Sequence, residues 1–413
     1  MHNIFIARLA IRVVFLATFL LCGNAAISAD EVVRPDVAKL LIKAQELHGQ
    51  KQFDQALAQI TDVDKVNAIN PLERFYTERM RAMVLISTDD QAGAAKALET
   101  ALASERGEVA DRMAITENLV LVHYRAKAYE KSAEWARRYI AQGGTNVGIA
   151  NVEVQALYLA KQYPSAAKLL DKQVADAIAA KQTPTEVQLR MLASAYQQSK
   201  DDLNYLNYLK TLKVIAHYYP KPEIWQELIY RVLARNDFPD ALEPDSNRLL
   251  RATKSPTKPA ELMEQAQLTL KTGYAGEAFD ILSGVDRKDP SLAATELTRL
   301  EQMLTKVSRM CQEDETGLPS LDARMDAAKD PNLLVNAAVS LSFLGQHARA
   351  VAMIDKALAK PALRQPEIAK LRKAFILVRA DKRNEALALL ETFNGTSPEA
   401  DLAGLWRLFL QSN

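Results

Sequence analysis

Small residues return along this chain at a nearly fixed interval, and that interval constrains the fold more than any other feature. In SFLGQHARAVAMIDKALAK, residues 342–360, Gly345 stands five residues before Ala350, which opens an apolar stripe. The same grammar leads through ELHGQKQFDQALAQI to Ala56, HYRAKAYEKSAEWA to Ser132 and ALYLAKQYPSAAKLL to Ala166. It continues through RVLARNDFPDALEP to Ala241, TLKTGYAGEAFDIL to Ala278 and RADKRNEALALL to Ala386. With Ala94 and a position near 205, the marks fall 34 to 39 residues apart, except for one step of 72 that spans a degenerate unit around Asp314. A sustained period of this size is the signature of a stacked repeat array.

Two antiparallel helices, A then B, explain the interval. Where they cross, only a small side chain fits. Ala44/Ala56, Ala266/Ala278, Ala338/Ala350 and Ala374/Ala386 supply it, each pair twelve residues apart. Ile60, Leu98, Leu170, Leu282, Ile354 and Leu390 follow the marks by four residues and are expected to fill the gap against the next unit. Phe53, Tyr129, Tyr163 and Phe238 precede the marks by three and are expected to close the turn. A single hairpin cannot bury its own apolar face, so stacking is required. Pro71, Pro184, Pro222, Pro259, Pro290, Pro331, Pro366 and Pro398 precede or open helices, where a missing N–H costs little.

Composition agrees. The 413 residues are 48% hydrophobic and 25% charged, which suits a large packed core and excludes a disordered chain. Net charge is +1, so nothing draws the chain toward nucleic acid or anionic lipid. Arg8 and Arg12 precede or flank the apolar run VVFLATFLLCG, and small residues follow it near Ala26 to Ala29. Residues 1–29 are therefore expected to be a secretory signal peptide, the alternative being an uncleaved anchor. Leu21 is too bulky for the small residue that precedes a lipoprotein cysteine, so Cys22 is expected to be discarded with the signal. Cleavage would lower Lys and Arg from 52 to 50 against 51 Asp and Glu, a net charge of −1. It would also leave Cys311 alone, with no internal disulfide. No second apolar stretch approaches about 18 residues, so no stable membrane span is expected after cleavage. The expected location is the periplasm.

Chemistry is sparse. His2, His48, His123, His217 and His347 never share metal-ligand spacing on one helix, and there is no CxxC. No metal, cofactor or catalytic residue is expected. His123 falls at a repeat core position and is expected to be packed and neutral. SAAK (Ser165 to Lys168) and KTG (Lys271 to Gly273) match motifs of penicillin-binding enzymes. Here one opens a helix B and the other closes a helix A, so an enzyme is not expected.

The segment IWQELIYRVLARNDFPDAL carries Trp225, Leu228, Val232, Phe238 and Ala241 in the spacing of tetratricopeptide repeats, and residues 36–395 resemble that family. The resemblance implies a right-handed all-α solenoid of about nine to ten helix hairpins with a C-terminal capping helix. The expected organisation is repeats over 30–286, a degenerate repeat or acidic loop over 287–328, repeats over 329–395 and the cap over 396–413. The order WARRYIAQGG, LASAYQQSKDD, YYPKPEIWQELI and ALALLETFNGTSPEADLAGLWRLFL further resembles exported proteobacterial repeat proteins often encoded beside TonB–ExbB–ExbD systems. That implies an envelope role near outer-membrane uptake.

Counted from each mark, helix A is expected to line the inner wall with Tyr76 and Arg79, then Glu117, Tyr124 and Arg125, then Asn151, Gln155 and Tyr158. Arg190, Ser194 and Gln197 follow, then Gln226 and Tyr230. Asn and Gln bond a peptide backbone, Arg holds carboxylates, and Tyr gives contact area with a polar tip. These residue types fit an extended protein or peptide partner in the cell envelope. The function expected is a scaffold that binds such a partner, the alternative being a structural or assembly factor for outer-membrane proteins or peptidoglycan machinery.

Overall fold

The structure is a computed structural model that describes residues 32–199 and 202–412. The expected signal peptide and Cys22 lie outside the described residues. Over the described residues the chain is twenty α-helices with no strand. They fall into two compact units, the chain dividing between Gln162 and Tyr163. The first holds α1 (Pro35–Gly49), α2 (Phe53–Asp64), α3 (Pro71–Ser87), α4 (Gln91–Ala103), α5 (Val109–Arg125), α6 (Tyr129–Ala141) and α7 (Val147–Leu159). The second holds α8 (Tyr163–Ala179), α9 (Glu186–Ser199), α10 (Asp202–Tyr218), α11 (Pro222–Leu233), α12 (Glu243–Ala252), α13 (Pro259–Lys271) and α14 (Ala275–Ser283). It continues with α15 (Ala294–Asp326), α16 (Pro331–Phe343), α17 (His347–Leu358), α18 (Pro366–Arg379), α19 (Arg383–Leu390) and α20 (Pro398–Ser412). Within each unit successive helices pack as antiparallel pairs, α1 on α2, α3 on α4 and α5 on α6 in the first, α13 on α14, α16 on α17 and α18 on α19 in the second. This is the α-solenoid architecture expected from the period.

The turn before each helix B explains the glycine of the opening stretch. Five residues before the mark, the backbone is left-handed at Lys51, Asp89, Lys127, Lys161, Gly273, Gly345 and Asp381. The following N–H returns to a carbonyl five residues upstream, as from Gln346 to Leu341 and from Lys382 to Leu377, both 2.9 Å. This satisfies the carbonyls orphaned at the end of helix A. Glycine takes that conformation without strain, whereas Lys and Asp pay for a Cβ there. A Cβ at Gly345 would meet nothing within 4 Å, so the cost of Gly345→Ala is purely conformational. It is expected to be about 1 kcal/mol in urea unfolding. An unchanged midpoint would contradict the left-handed turn.

The small marks sit where the crossing needs them. Ala44, Ala56, Ala266, Ala278, Ala338, Ala350 and Ala386 are wholly buried, and Ala374 nearly so. Where serine replaces alanine, the Ser132 hydroxyl donates to the Val120 carbonyl, twelve residues upstream on helix A, at 2.8 Å. Ile60, Leu98, Leu170, Leu282, Ile354 and Leu390 are all buried. Leucine in place of Ala338 or Ala350 forces the two helices apart. Each substitution is expected to destabilise by about 1–3 kcal/mol, and unchanged thermal melting of both would contradict this crossing.

Two marks behave differently. Tyr205 is exposed on α10. Ala241 lies in a short 3-10 segment, Asp240–Leu242, and α12 begins only at Glu243. Pro244 is the reason. A helix begun at Phe238 would need its N–H, which proline lacks, whereas in the first turn of α12 no donor is required.

The segment 287–328, expected to be a degenerate repeat or an acidic loop, is mostly helical. It carries one continuous 33-residue helix, α15. Where the period would place an A–B turn, RMCQED has no glycine or proline, and good helix formers carry the helix through. Leu300 and Val307 pack with Ile281, Leu282 and Val285. Leu318, Leu321 and Met325 pack against the core of α16 and α17.

The C-terminal end of the second unit folds back on its middle. Helix α20 covers α18 and α19, as a cap would, and also packs on α10 and α11. Leu371 is buried, and Phe375 lies between Phe343 and Trp406 at ring distances of 5.9 and 6.1 Å.

Candidate interaction surface

In the first unit, the residues expected on the inner wall lie on α3, α5 and α7 and are linked from one helix A to the next. Arg79 of α3 pairs with Asp111 of α5 at 2.7 Å. Glu117 of α5 accepts from the Asn146 amide, just ahead of α7, at 2.7 Å. The Tyr124 hydroxyl of α5 donates to Gln155 Oε1 of α7 at 3.1 Å. Tyr76 and Tyr124 are half-buried, and burial raises the pKa of both phenols. Tyr76 packs edge-on against Phe75 at 5.2 Å, and Tyr124 against Tyr129 at 5.5 Å. Tyr158 is half-buried, while Arg125, Asn151 and Gln155 are exposed. The row thus combines pre-ordered tyrosines with accessible amide and guanidinium groups.

The N-terminal end of this row is rigidly set. Asn70 caps α3 by accepting from Glu73 N–H at 2.8 Å, and Glu73 accepts from Asn70 N–H in return at 3.0 Å. Arg34 adds two side-chain bonds to the Glu73 carboxylate, both 2.8 Å, which hold its pKa down to about 2.

In the second unit the expected residues are dispersed. Arg190 pairs with Glu186 at 2.7 Å within α9, and Lys221 reaches the same carboxylate at 2.6 Å. Gln226 donates to the Pro256 carbonyl at 2.6 Å. Gln197 and Tyr230 are exposed, and Ser194 is half-buried.

A cluster of buried charges among the described residues has no counterpart in the sequence expectations. Arg248 and Glu277 are buried and joined at 2.6 Å, and Arg248 also holds buried Asp245 at 2.5 Å. Arg251 donates to Glu277 as well. Arg372 of α18 reaches back to Asp245 at 3.1 Å and to the Ala241 carbonyl at 2.9 Å. Burial pushes the Glu277 carboxyl up, but the two guanidiniums outweigh it and the net shift is downward. Burial also opposes the Arg248 charge, and the two carboxylates overcome that. Every charge finds a partner, so the cluster is a fastener between α12, α14 and α18. The available signal was local: EPDSNRLLRA places charges where a helix B carries apolar residues.

The residues that resembled enzyme motifs are not gathered. Ser165 and Lys168 are exposed on α8, and Lys271 ends α13. Among the described residues no group of His, Cys, Asp and Glu is arranged to hold a metal ion. No helix among them is long and apolar enough to cross a membrane.

His123 is buried, as expected, and burial lowers its pKa from the ordinary 6.5, with Glu99 at 3.4 Å offsetting part of the shift. The folded state therefore binds fewer protons than the unfolded state near this pH. The stability this contributes is complete above pH 6.5 and is lost as pH falls below it toward the folded value. His48, also lowered by burial, acts in the same direction. Melting temperature is expected to fall on acidification from neutral pH, and to fall less in His123→Gln. An equal fall in both proteins would contradict the assignment.

No family model and no curated protein matches the chain. Among solved structures it is similar to a chain of Naa15/Naa10 bound to HypK-THB, with 15% identity and a TM-score of 0.32 over 89% of this chain. It spans 65% of that chain's length, just under two thirds. It is also similar to the TPR domain of P58(IPK), with 14% identity and a TM-score of 0.24, over 91% of this chain and 99% of that one.

Proposed function

We propose that this chain is a non-enzymatic scaffold that binds an extended protein segment along the helix-A row of its first unit. One observation carries the reading: alternate helices α3, α5 and α7 present half-buried Tyr76, Tyr124 and Tyr158 beside exposed Arg125, Asn151 and Gln155. Amide groups at that spacing bond a peptide backbone, the tyrosines supply contact area at small entropic cost, and Arg125 takes a carboxylate. In the second unit, taken by itself, exposed Gln197 and Tyr230 offer the same chemistry.

The resemblance to exported repeat proteins supports a periplasmic site of action, with the partner in TonB-linked outer-membrane transport. The test is affinity capture from envelope extract with residues 30–413, beside a variant carrying Arg125→Ala, Asn151→Ala, Gln155→Ala and Tyr158→Ala. The expected result is a partner captured by the unaltered chain and lost with the variant. Equal capture by both would place the binding surface elsewhere. Loss of the protein in cells is expected to impair uptake of iron chelates or vitamins, and general envelope sensitivity instead would favour an assembly role.

A further inference from the structure

Helix α20 is gripped by parts of the second unit that lie far from it in sequence. Asp401 accepts a 2.6 Å bond from Arg235, 166 residues upstream. Arg235 holds Asp237 at 2.8 Å with its other arm, so the guanidinium is already oriented. Phe409 meets Trp225 of α11 edge-on at 5.8 Å, and Trp406 meets Phe375 of α18 at 6.1 Å. A run of rings from Phe343 through Phe375, Trp406 and Phe409 to Trp225 thus crosses from α16 to α11.

This interface is built unlike the hairpin crossings. Those use alanine against aliphatics. This one holds two of the chain's three tryptophans, with an arginine–carboxylate pair at its rim where Arg235 and Asp401 are 28% and 33% exposed. Buried aromatic anchors with an arginine beside them are the composition of a protein–protein hot spot. The tether, residues 391–397, is exposed at six of its seven positions. Gly395 within it is left-handed, with nothing within 4 Å of where a Cβ would stand.

We propose that the face made by α10, α11 and α18 is a second binding site, for an amphipathic helix of a partner protein, and that α20 occupies it here as an internal ligand. The partner helix carries an acidic residue followed five and eight residues later by aromatics, the spacing of Asp401, Trp406 and Phe409. Aliphatic residues stand at the positions of Leu402, Leu405 and Leu410. Arg235 selects the carboxylate, and Trp225 and Phe375 select the rings. The site shares no residue with the row on the first unit and stands independently of it. A short tether holds α20 at an effective concentration on the order of millimolar, so only a helix that matches these contacts displaces it.

The experiment uses the full chain with a protease site placed within residues 392–396 and cut after folding. A fluorescent peptide of residues 396–412 is then added. Cutting is expected to leave the chain folded and to raise peptide uptake about a hundredfold, because the tether's advantage is gone. An Asp401→Ala peptide is expected to bind about tenfold more weakly to the unaltered cut chain, and no more weakly than the parent peptide to an Arg235→Ala chain. A designed helix of unrelated sequence that keeps only the six named positions is expected to compete. Unfolding on cutting, absence of uptake, or indifference to Asp401 would overturn the site. Failure of the designed helix, or pairing of two copies through exchanged α20 in place of peptide uptake, would overturn the external partner.

Discussion

Glu277→Ala is expected to lower the unfolding free energy by about 3–5 kcal/mol, because it strands a buried arginine charge. Arg248 is 2% exposed and keeps only Asp245, and Arg251 loses the one carboxylate it holds. Neither guanidinium can neutralise itself by giving up a proton near pH 7, so the cost falls on folding. Glu277→Gln is expected to recover little, since the amide carries no charge to offset either arginine. Urea unfolding followed by circular dichroism measures the difference. A loss below about 1 kcal/mol would mean that water reaches the cluster and that it does not fasten α18 to α12.

Trp406→Ala is the second large effect, expected at about 3–5 kcal/mol for a buried aromatic truncated to alanine. Trp406 is 3% exposed and bridges Phe375 and Phe409 at 6.1 Å each. Removing it breaks the run of rings at its centre, so the damage reaches beyond α20. Amide hydrogen exchange in α10 and α11 is expected to rise together with that in α20. Faster exchange confined to α20 would show that its grip on the distant helices adds no stability.

The repeat was legible because its cause is local. A small residue is required where the two helices of a hairpin cross, and the turn before it repeats a left-handed residue, so both recur at fixed spacing. The glycine at 345 marked that turn, while Lys51, Lys127 and Asp381 take the same conformation with no sign in the sequence. Pro244 was visible and still missed, since the position of Ala241 suggested an ordinary helix B. The continuous helix α15 was obscured because the absence of a turn leaves only a gap in the pattern.

Charge pairing was not legible. Arg248 meets Glu277 across 29 residues, and Arg372 meets Asp245 across 127. Periodicity says which face a residue occupies and nothing about which distant residue meets it. For the same reason the register placed Arg79, Glu117 and Tyr124 on successive A helices but gave no hint that each reaches a partner on the next layer. Those links order the row, and the exposed Arg125, Asn151 and Gln155 remain as its accessible groups.

A partner is expected along helices α3, α5 and α7. A photo-crosslinking amino acid placed at Asn151, on that row, and separately at Glu130, an exposed position of α6, tests this in cells. Crosslinking to a single partner from position 151 and none from 130 is the expected result. A partner captured from 130 but not from 151 would contradict the account and move the working surface to the B helices.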